Sequence, residues 1–240
     1  MTHMNVILTS SRFGGRYLLK TLSQCRPDFI ILQEVMRKET DSHRTLSDMT
    51  GLSVDRLKAM ASSEPEMLWT MIADSAKASG RNIAMLVYYY HQPRISALWD
   101  RIHQGARIVH LVRRNLFEAF LSRQAALQSN IWRPNEDHDS RTERPIVLNE
   151  KDLHSYISER TRDIAWARRR FTAGDYHEIF FEDITRTAGV CLDAVNRLFP
   201  ANGEIIPPVC LTPPSRRTRS NADRVANYAF VAKFDREYSS

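Results

Sequence analysis

Cysteine is scarce in this chain, and what there is stands far apart. Cys25, Cys191 and Cys210 make an odd count with no close pair. That argues against a disulfide framework and against a structural zinc site. It fits a reducing compartment, with the thiols as small packing residues. Long apolar runs are also missing, and nothing approaches the roughly 20 uncharged residues that span a bilayer. The first apolar run covers only about five residues before Arg12 and Arg16, so no secretory leader is expected and the cytoplasm is the expected address. The pattern Gly-x-x-x-x-Gly-Lys-Ser/Thr is absent, which excludes an ordinary ATPase. There is no internal repeat, no low-complexity tract and no cluster with metal-ligand spacing, so no metal is expected.

What is present is an ordinary globular composition with a basic lean. The chain has 240 residues, 42% hydrophobic and 26% charged, with a formal net charge of +6. This length suits one domain. The charge favours anionic ligands but falls far short of a histone-like excess.

Strand and helix patterns alternate. Residues 5–9 read as a buried strand and 15–23 as its helix. A second short strand, 29–32, ends in Gln33 and Glu34, and residues 36–53 read as polar and irregular. Apolar residues then recur at helical spacing, first Val54, Leu57, Met60 and Ala61, then Met67, Leu68, Met71 and Ile72. Residues 83–90 (IAMLVYYY) carry the strongest strand pattern, and a helix is expected over 95–102. The strand at 106–112 ends in Arg113 and Arg114. Asn115 is placed to cap the next helix, with Phe117, Phe120, Leu121 and Leu127 on its inner side. Residues 130–150 form a polar, charged insertion of the kind that serves as a lid or substrate loop. A helix over 151–171, a strand over 176–181 and a helix over 183–199 follow. The segment 207–240 holds a Pro-rich stretch, an Arg-rich stretch and a last helix over 222–234.

Most of these strands are continuous apolar runs, the pattern of a parallel sheet covered by helices on both faces. In such sheets ligands lie at the carboxyl ends of the strands. The residues with chemistry to offer stand there: Arg12 after the first strand, Glu34 after the second, His91 after the third and Arg114 after the fourth. The first junction says most. In VILTSSRFGGRYLL an apolar run ends in a turn with Arg12, Gly14, Gly15 and Arg16, and a helix begins at once. Two glycines permit close backbone approach, and a helix N-terminus presents free N–H groups and partial positive charge. A phosphate or sulfate group fits there.

Four stretches complete the pattern: SSRFGGRYLL; RIVHLVRRNLFEAFLSRQAA; YHEIFFEDITRTAGVCLDAVNRLF; and RRTRSNADRVANY. In that order they resemble the sulfotransferases that use 3′-phosphoadenosine 5′-phosphosulfate (PAPS), especially the bacterial carbohydrate group with the nodulation-factor enzymes. The resemblance implies a three-layer α/β, P-loop-like fold with a central parallel sheet. It implies PAPS as donor, adenosine 3′,5′-bisphosphate as product, no metal, and a small-molecule or glycolipid hydroxyl as acceptor. The first loop, Arg12, Phe13, Gly14, Gly15, Arg16 and Tyr17, would wrap the 5′-phosphosulfate. Arg114 and Ser122 would take the 3′-phosphate, and Arg217 or Arg219 would cover it from the late basic segment. Glu34 stands where related carbohydrate enzymes carry a glutamate base, with His91 as the rival. FFED reads as architectural, ending a strand and starting a helix.

The sequence also departs from the family. Phe13 replaces a small polar residue, Gly15 and Arg16 stand where hydroxyl residues are common, and Ala84, Met85 and Leu86 stand where relatives often show Gly-x-Lys. These departures keep a second reading open, a non-catalytic member of the fold that binds an anion, a nucleotide or a partner. The Arg-rich segment lacks a groove-reading motif, so nucleic acid is not expected. His110, inside an apolar strand, reads as a core histidine. Acceptor choice is expected to lie in residues 36–79 and 130–151, and oligomeric state is left open.

Overall fold

Five strands, the central ones apolar on both sides, join into one parallel sheet. The computed structural model of the chain describes residues 4–37, 40–93, 95–132, 145–199 and 220–238. The strands are β1 (Met4–Thr9), β2 (Phe29–Gln33), β3 (Asn82–Tyr88), β4 (Ala106–Val112) and β5 (Tyr176–Phe180), in the order β2-β3-β1-β4-β5. All pairings are parallel. Met4–Thr9 runs beside Ile83–Tyr88 on one side, and Met4–Leu8 runs beside Ala106–His110 on the other. The expected α/β, P-loop-like architecture of three layers is what forms.

Alternate residues of each strand feed two cores, as the period of two demands. Ile7, Leu86, Val109, Leu111 and Ile179 pack on one face. There they meet Leu18, Leu19 and Leu22 of α1 (Gly15–Cys25) and Cys191 and Val195 of the later helix Ala188–Leu198. Val6, Leu8, Met85, Val87 and Ile108 face the other way. Their cover comes from α2 (Ser42–Thr50), α3 (Val54–Ser63), α4 (Pro65–Ser79), α5 (Leu98–Gly105), α6 (Leu116–Ser129), α7 (Glu150–Phe171) and the late helix Tyr228–Tyr238. Cys25 and Cys191 are free and buried, while Cys210 lies outside the described residues. No helix among the described residues is long and apolar enough to cross a membrane.

Several boundaries differ from expectation. The stretch read as irregular contains α2, whose buried positions are only Ser42, His43 and Leu46, too few apolar residues to show a helical stripe. The third strand stops at Tyr88, and Tyr89–His91 makes a 3₁₀ turn because the His91 side chain accepts the Tyr88 backbone N–H. β5 ends at Phe180. The expected helix 183–199 is two, α8 (Phe181–Ile184) and α9 (Ala188–Leu198), with Thr187 capping the second. The last helix is likewise α10 (Asn221–Arg224) and α11 (Tyr228–Tyr238). Leu127 does not join the inner side of α6 but is exposed. Residues 133–144 of the expected lid and 207–219 and 239–240 of the covering segment lie outside the described residues.

The strand order fixes where a ligand can enter. From β1 the chain turns to α1 on one face, and from β4 it turns to α6 on the other. Neighbouring strands whose connections leave on opposite faces open a crevice at their carboxyl ends. The Thr9 hydroxyl marks its base, donating 2.7 Å to the Leu111 carbonyl where the β1–β4 ladder runs out.

Candidate active site

The first loop leaves β1 at Ser10 and enters α1 at Gly14, which sits at φ +91°. A Cβ there would collide with the Phe181 ring, so glycine is required both for the left-handed backbone and for this close approach. Bonding along α1 begins with Leu18 N–H on the Gly14 carbonyl, at 3.1 Å. The amides of Gly15, Arg16 and Tyr17 therefore face the open end of the helix, and no acidic residue stands in its first turn. That is the donor set an anion needs.

Two non-glycine residues beside this loop also hold positive φ, Arg12 at 67° and Glu34 at 51°. Such backbone costs roughly 1–3 kcal/mol and persists where surroundings over-determine it. Arg12 is over-determined by contacts across the crevice. Its Nε donates to Ser122 Oγ at 2.9 Å, and its Nη1 donates to the Trp132 carbonyl at 3.1 Å. Its own carbonyl accepts from Arg113 Nη1 at 3.0 Å. The first loop and the β4–α6 turn, which the sequence separates by a hundred residues, are thus joined at one edge of the sheet.

Arg114 stands in the β4–α6 turn and Ser122 in the body of α6, which is capped as expected by Asn115, whose side chain accepts the Glu118 N–H at 2.7 Å. Arg114 lies with its guanidinium 3.7 Å from the Phe180 ring and makes a two-point pair with Asp183, at 3.0 and 2.9 Å. Those hydrogen bonds hold the Asp183 carboxyl below the usual carboxylate range. Glu182 accepts the backbone N–H groups of Arg114 and Asn115, both at 3.1 Å. The FFED stretch is architectural as expected, and it is more: its two acids organise the β4–α6 turn.

Glu34 is buried, with 4% of its surface exposed. Arg16 Nη2 donates to its Oε1 at 2.9 Å, and Arg37 Nη1 and the Tyr90 hydroxyl donate to its Oε2, each at 3.1 Å. Burial pushes this carboxyl up, but the hydrogen bonds from Arg16 and Arg37, the Arg16 charge and the Tyr90 hydroxyl together hold it below the ordinary value. The Tyr90 ring is 43% exposed beside it, and Trp132, across the loop, is 42% exposed.

Some expected site residues are placed elsewhere. The Phe13 side chain is wholly buried in the core, and the Tyr17 ring packs with the α9 side of the sheet, where its hydroxyl lies near Cys191 and burial drives its pKa upward. The Phe13 backbone lies in the loop and that of Tyr17 in the first turn of α1, while both rings pack away from the crevice. His91 is wholly buried against the Tyr88 and Tyr90 rings and shapes the turn, so its imidazole has no surface from which to meet an acceptor hydroxyl. Arg217 and Arg219 lie outside the described residues. His110 is a core residue as read, with ring nitrogens 2.5 Å from the hydroxyls of Tyr89 and Tyr176.

Three contributors escaped the sequence reading. Ser10 opens the loop, Arg113 braces the Arg12 backbone, and Arg160 of α7, itself buried, donates to Ser10 Oγ at 3.0 Å. Arg160 also lies 3.1 Å from Asp163 and pairs with Glu159, which offsets the several kcal/mol of desolvation that a buried guanidinium incurs. A signal existed: Arg160 falls on the stripe of Leu153, Tyr156, Ile157, Ile164 and Ala167 that α7 buries. A charge on an apolar stripe marks a buried partner.

No family model matches the sequence, and no curated protein matches it. Solved structures do. The fold is similar to the sulfotransferase domain from the curacin biosynthetic pathway, with a TM-score of 0.54 and 12% identity over 85% of this chain and 76% of that one. It is similar to the sulfotransferase domain of the Synechococcus PCC 7002 olefin synthase, at TM-score 0.51 and 14% identity over 100% and 88%. It is also similar to a sulfotransferase from Alicyclobacillus acidocaldarius, at TM-score 0.50 and 14% identity over 98% and 92%. The chain therefore has the fold of sulfotransferase domains.

Proposed function

We propose that this protein transfers a sulfonate group from PAPS to a hydroxyl of a carbohydrate or glycolipid, with adenosine 3′,5′-bisphosphate as the second product. The observation that carries the reading is the Arg12–Ser122 hydrogen bond. It joins the glycine-bearing first loop to the body of α6 at the crevice of a sulfotransferase fold, which supports reading the two as anion sites for the two ends of a single nucleotide.

The residues present suit that nucleotide. The open amides of α1 with Arg12 and Arg16 would hold its 5′ end, and these backbone and guanidinium donors stand in for the family's missing hydroxyls. Arg114 and Ser122 would hold the 3′-phosphate, a fork of charged donors beside a hydroxyl. Arg217 and Arg219 are assigned to the same phosphate by resemblance alone. PAPS would supply an activated sulfur open to in-line displacement, a reaction in which positioning and charge stabilisation matter most. Glu34 is assigned as the base that takes the acceptor proton. Arg12 and Arg16 place positive charge where the leaving phosphate gains negative charge. The exposed faces of Tyr90 and Trp132 suit a sugar, which packs against flat apolar surface with a polar tip in reach.

The test is direct. Saturating adenosine 3′,5′-bisphosphate should raise the melting temperature, because a ligand that binds only the folded state stabilises it, and Arg114→Ala should remove the shift. Labelled PAPS should pass its sulfonate to members of a carbohydrate panel. Absence of any shift in the unsubstituted protein sinks the reading. Binding without transfer to any acceptor would leave the non-catalytic alternative.

A further inference from the structure

Arg16 stands in the first turn of α1, where the helix end already carries partial positive charge. A cation there is unfavourable unless it serves an anion. In the structure that anion is Glu34, which Arg16 holds from α1 while Arg37 holds it from its own loop and Tyr90 from the 3₁₀ turn. The Tyr88 hydroxyl at the end of β3 also faces this pair. A carboxylate with three donors is a poor base, because each donor must weaken before a proton can be accepted. Arg16, however, is the one of these partners that stands in the first turn of α1, beside its open amides, and its side chain is 34% exposed.

Building on the sulfonate-transfer reading, we propose that Arg16 serves two partners in turn: Glu34 in the nucleotide-free protein, and the anionic 5′ end of the nucleotide once it is bound. Handing over Arg16 leaves Glu34 held by Arg37 and Tyr90 alone, aimed but freed of one cation, so the base becomes competent only when the donor is in place. The proton then moves from the acceptor hydroxyl to Glu34 as the new oxygen–sulfur bond forms and the sulfur–phosphate oxygen bond breaks. Arg16 is in this sense a positioning residue for Glu34 as well as an anion ligand.

Two predictions separate this from a static ion pair. First, Glu34→Gln removes the competitor for Arg16, so the full chain should bind adenosine 3′,5′-bisphosphate about three- to tenfold more tightly. Second, calorimetric titration at about pH 5 in two buffers of different ionisation heat should show the unsubstituted protein taking up more protons on binding than the Glu34→Gln variant does. Equal affinities with equal proton counts overturn the handover while leaving nucleotide binding intact. Failure of the unsubstituted protein to bind overturns the donor reading, and the handover with it. Should Glu34→Gln not fold, the proton count of the unsubstituted protein decides: uptake beyond that of the nucleotide's own phosphates supports the handover, and none overturns it.

Discussion

Two arginine–carboxylate contacts lie at the same edge of one sheet and differ chiefly in their access to water. Arg16–Glu34 buries its acid, whose side chain is 5% exposed, whereas Arg114–Asp183 leaves 40% of one side chain and 38% of the other exposed. Both acids are held below their ordinary range by guanidinium hydrogen bonds, against an opposing contribution from burial. On the proposed reading, the two pairs would respond differently to an arriving phosphate. Asp183 can yield Arg114 and turn to solvent at little expense, because exposed pairs are worth about 0–1 kcal/mol. Glu34 has no solvent to turn to. Loss of Arg16 would instead change its protonation behaviour, and on this proposal that would make one pair chemically consequential and the other a simple competitor.

Both pairs depend on the loop between them. Replacing Gly14 by Val should have the largest effect: it forces left-handed backbone on a branched residue and drives a Cβ into Phe181. The expected loss is about 2–4 kcal/mol, read as a fall in denaturant midpoint together with loss of nucleotide binding at both ends. A Gly14→Val protein of unchanged stability would break the account of the loop.

Glu34→Gln should come next. Removing the charge strands two cations, but Arg16 and Arg37 both reach water, so about 1–2 kcal/mol is expected, less than for a fully buried pair. The pH dependence sharpens this. The folded Glu34 carboxyl titrates below its ordinary value of 4.5, so its stabilisation is fully present above pH 4.5 and is lost as pH falls through the lower folded value. Melting curves below pH 4.5 should therefore drop faster for the unsubstituted protein than for Glu34→Gln. Parallel curves would show that the buried pair is no different from the exposed one.

Arg114→Ala should change stability by less than about 1 kcal/mol and yet remove the nucleotide-induced thermal shift. A large stability loss would mean that Arg114–Asp183 is structural rather than a phosphate site. The smallest effect belongs to Asp183→Asn. Stability should stay within about 0.5 kcal/mol, and affinity for adenosine 3′,5′-bisphosphate should rise about two- to threefold as Arg114 is released. A larger gain than that from Glu34→Gln would invert the comparison.

The sequence by itself determined the layered sheet, because runs such as IAMLVYYY and ARIVHLV can be satisfied only when both faces are covered. It determined the anion-ready turn at Gly14 and the capped start of α6 at Asn115, since both are local properties of backbone and neighbouring side chains. What it left undecided was the direction in which side chains in the loops point. Phe13 and Tyr17 read as loop residues, yet the tertiary structure gives their rings to the core. His91 reads as a rival base at a strand end, yet it folds back on Tyr88. Glu34 was visible as a lone acid, but two of its three partners come from positions 18 residues earlier and 56 later in the chain, and Ser10 meets Arg160 across 150. Those meetings are set by which helix covers which face of the sheet. That depends on the packing of the whole chain, and no local stretch encodes it.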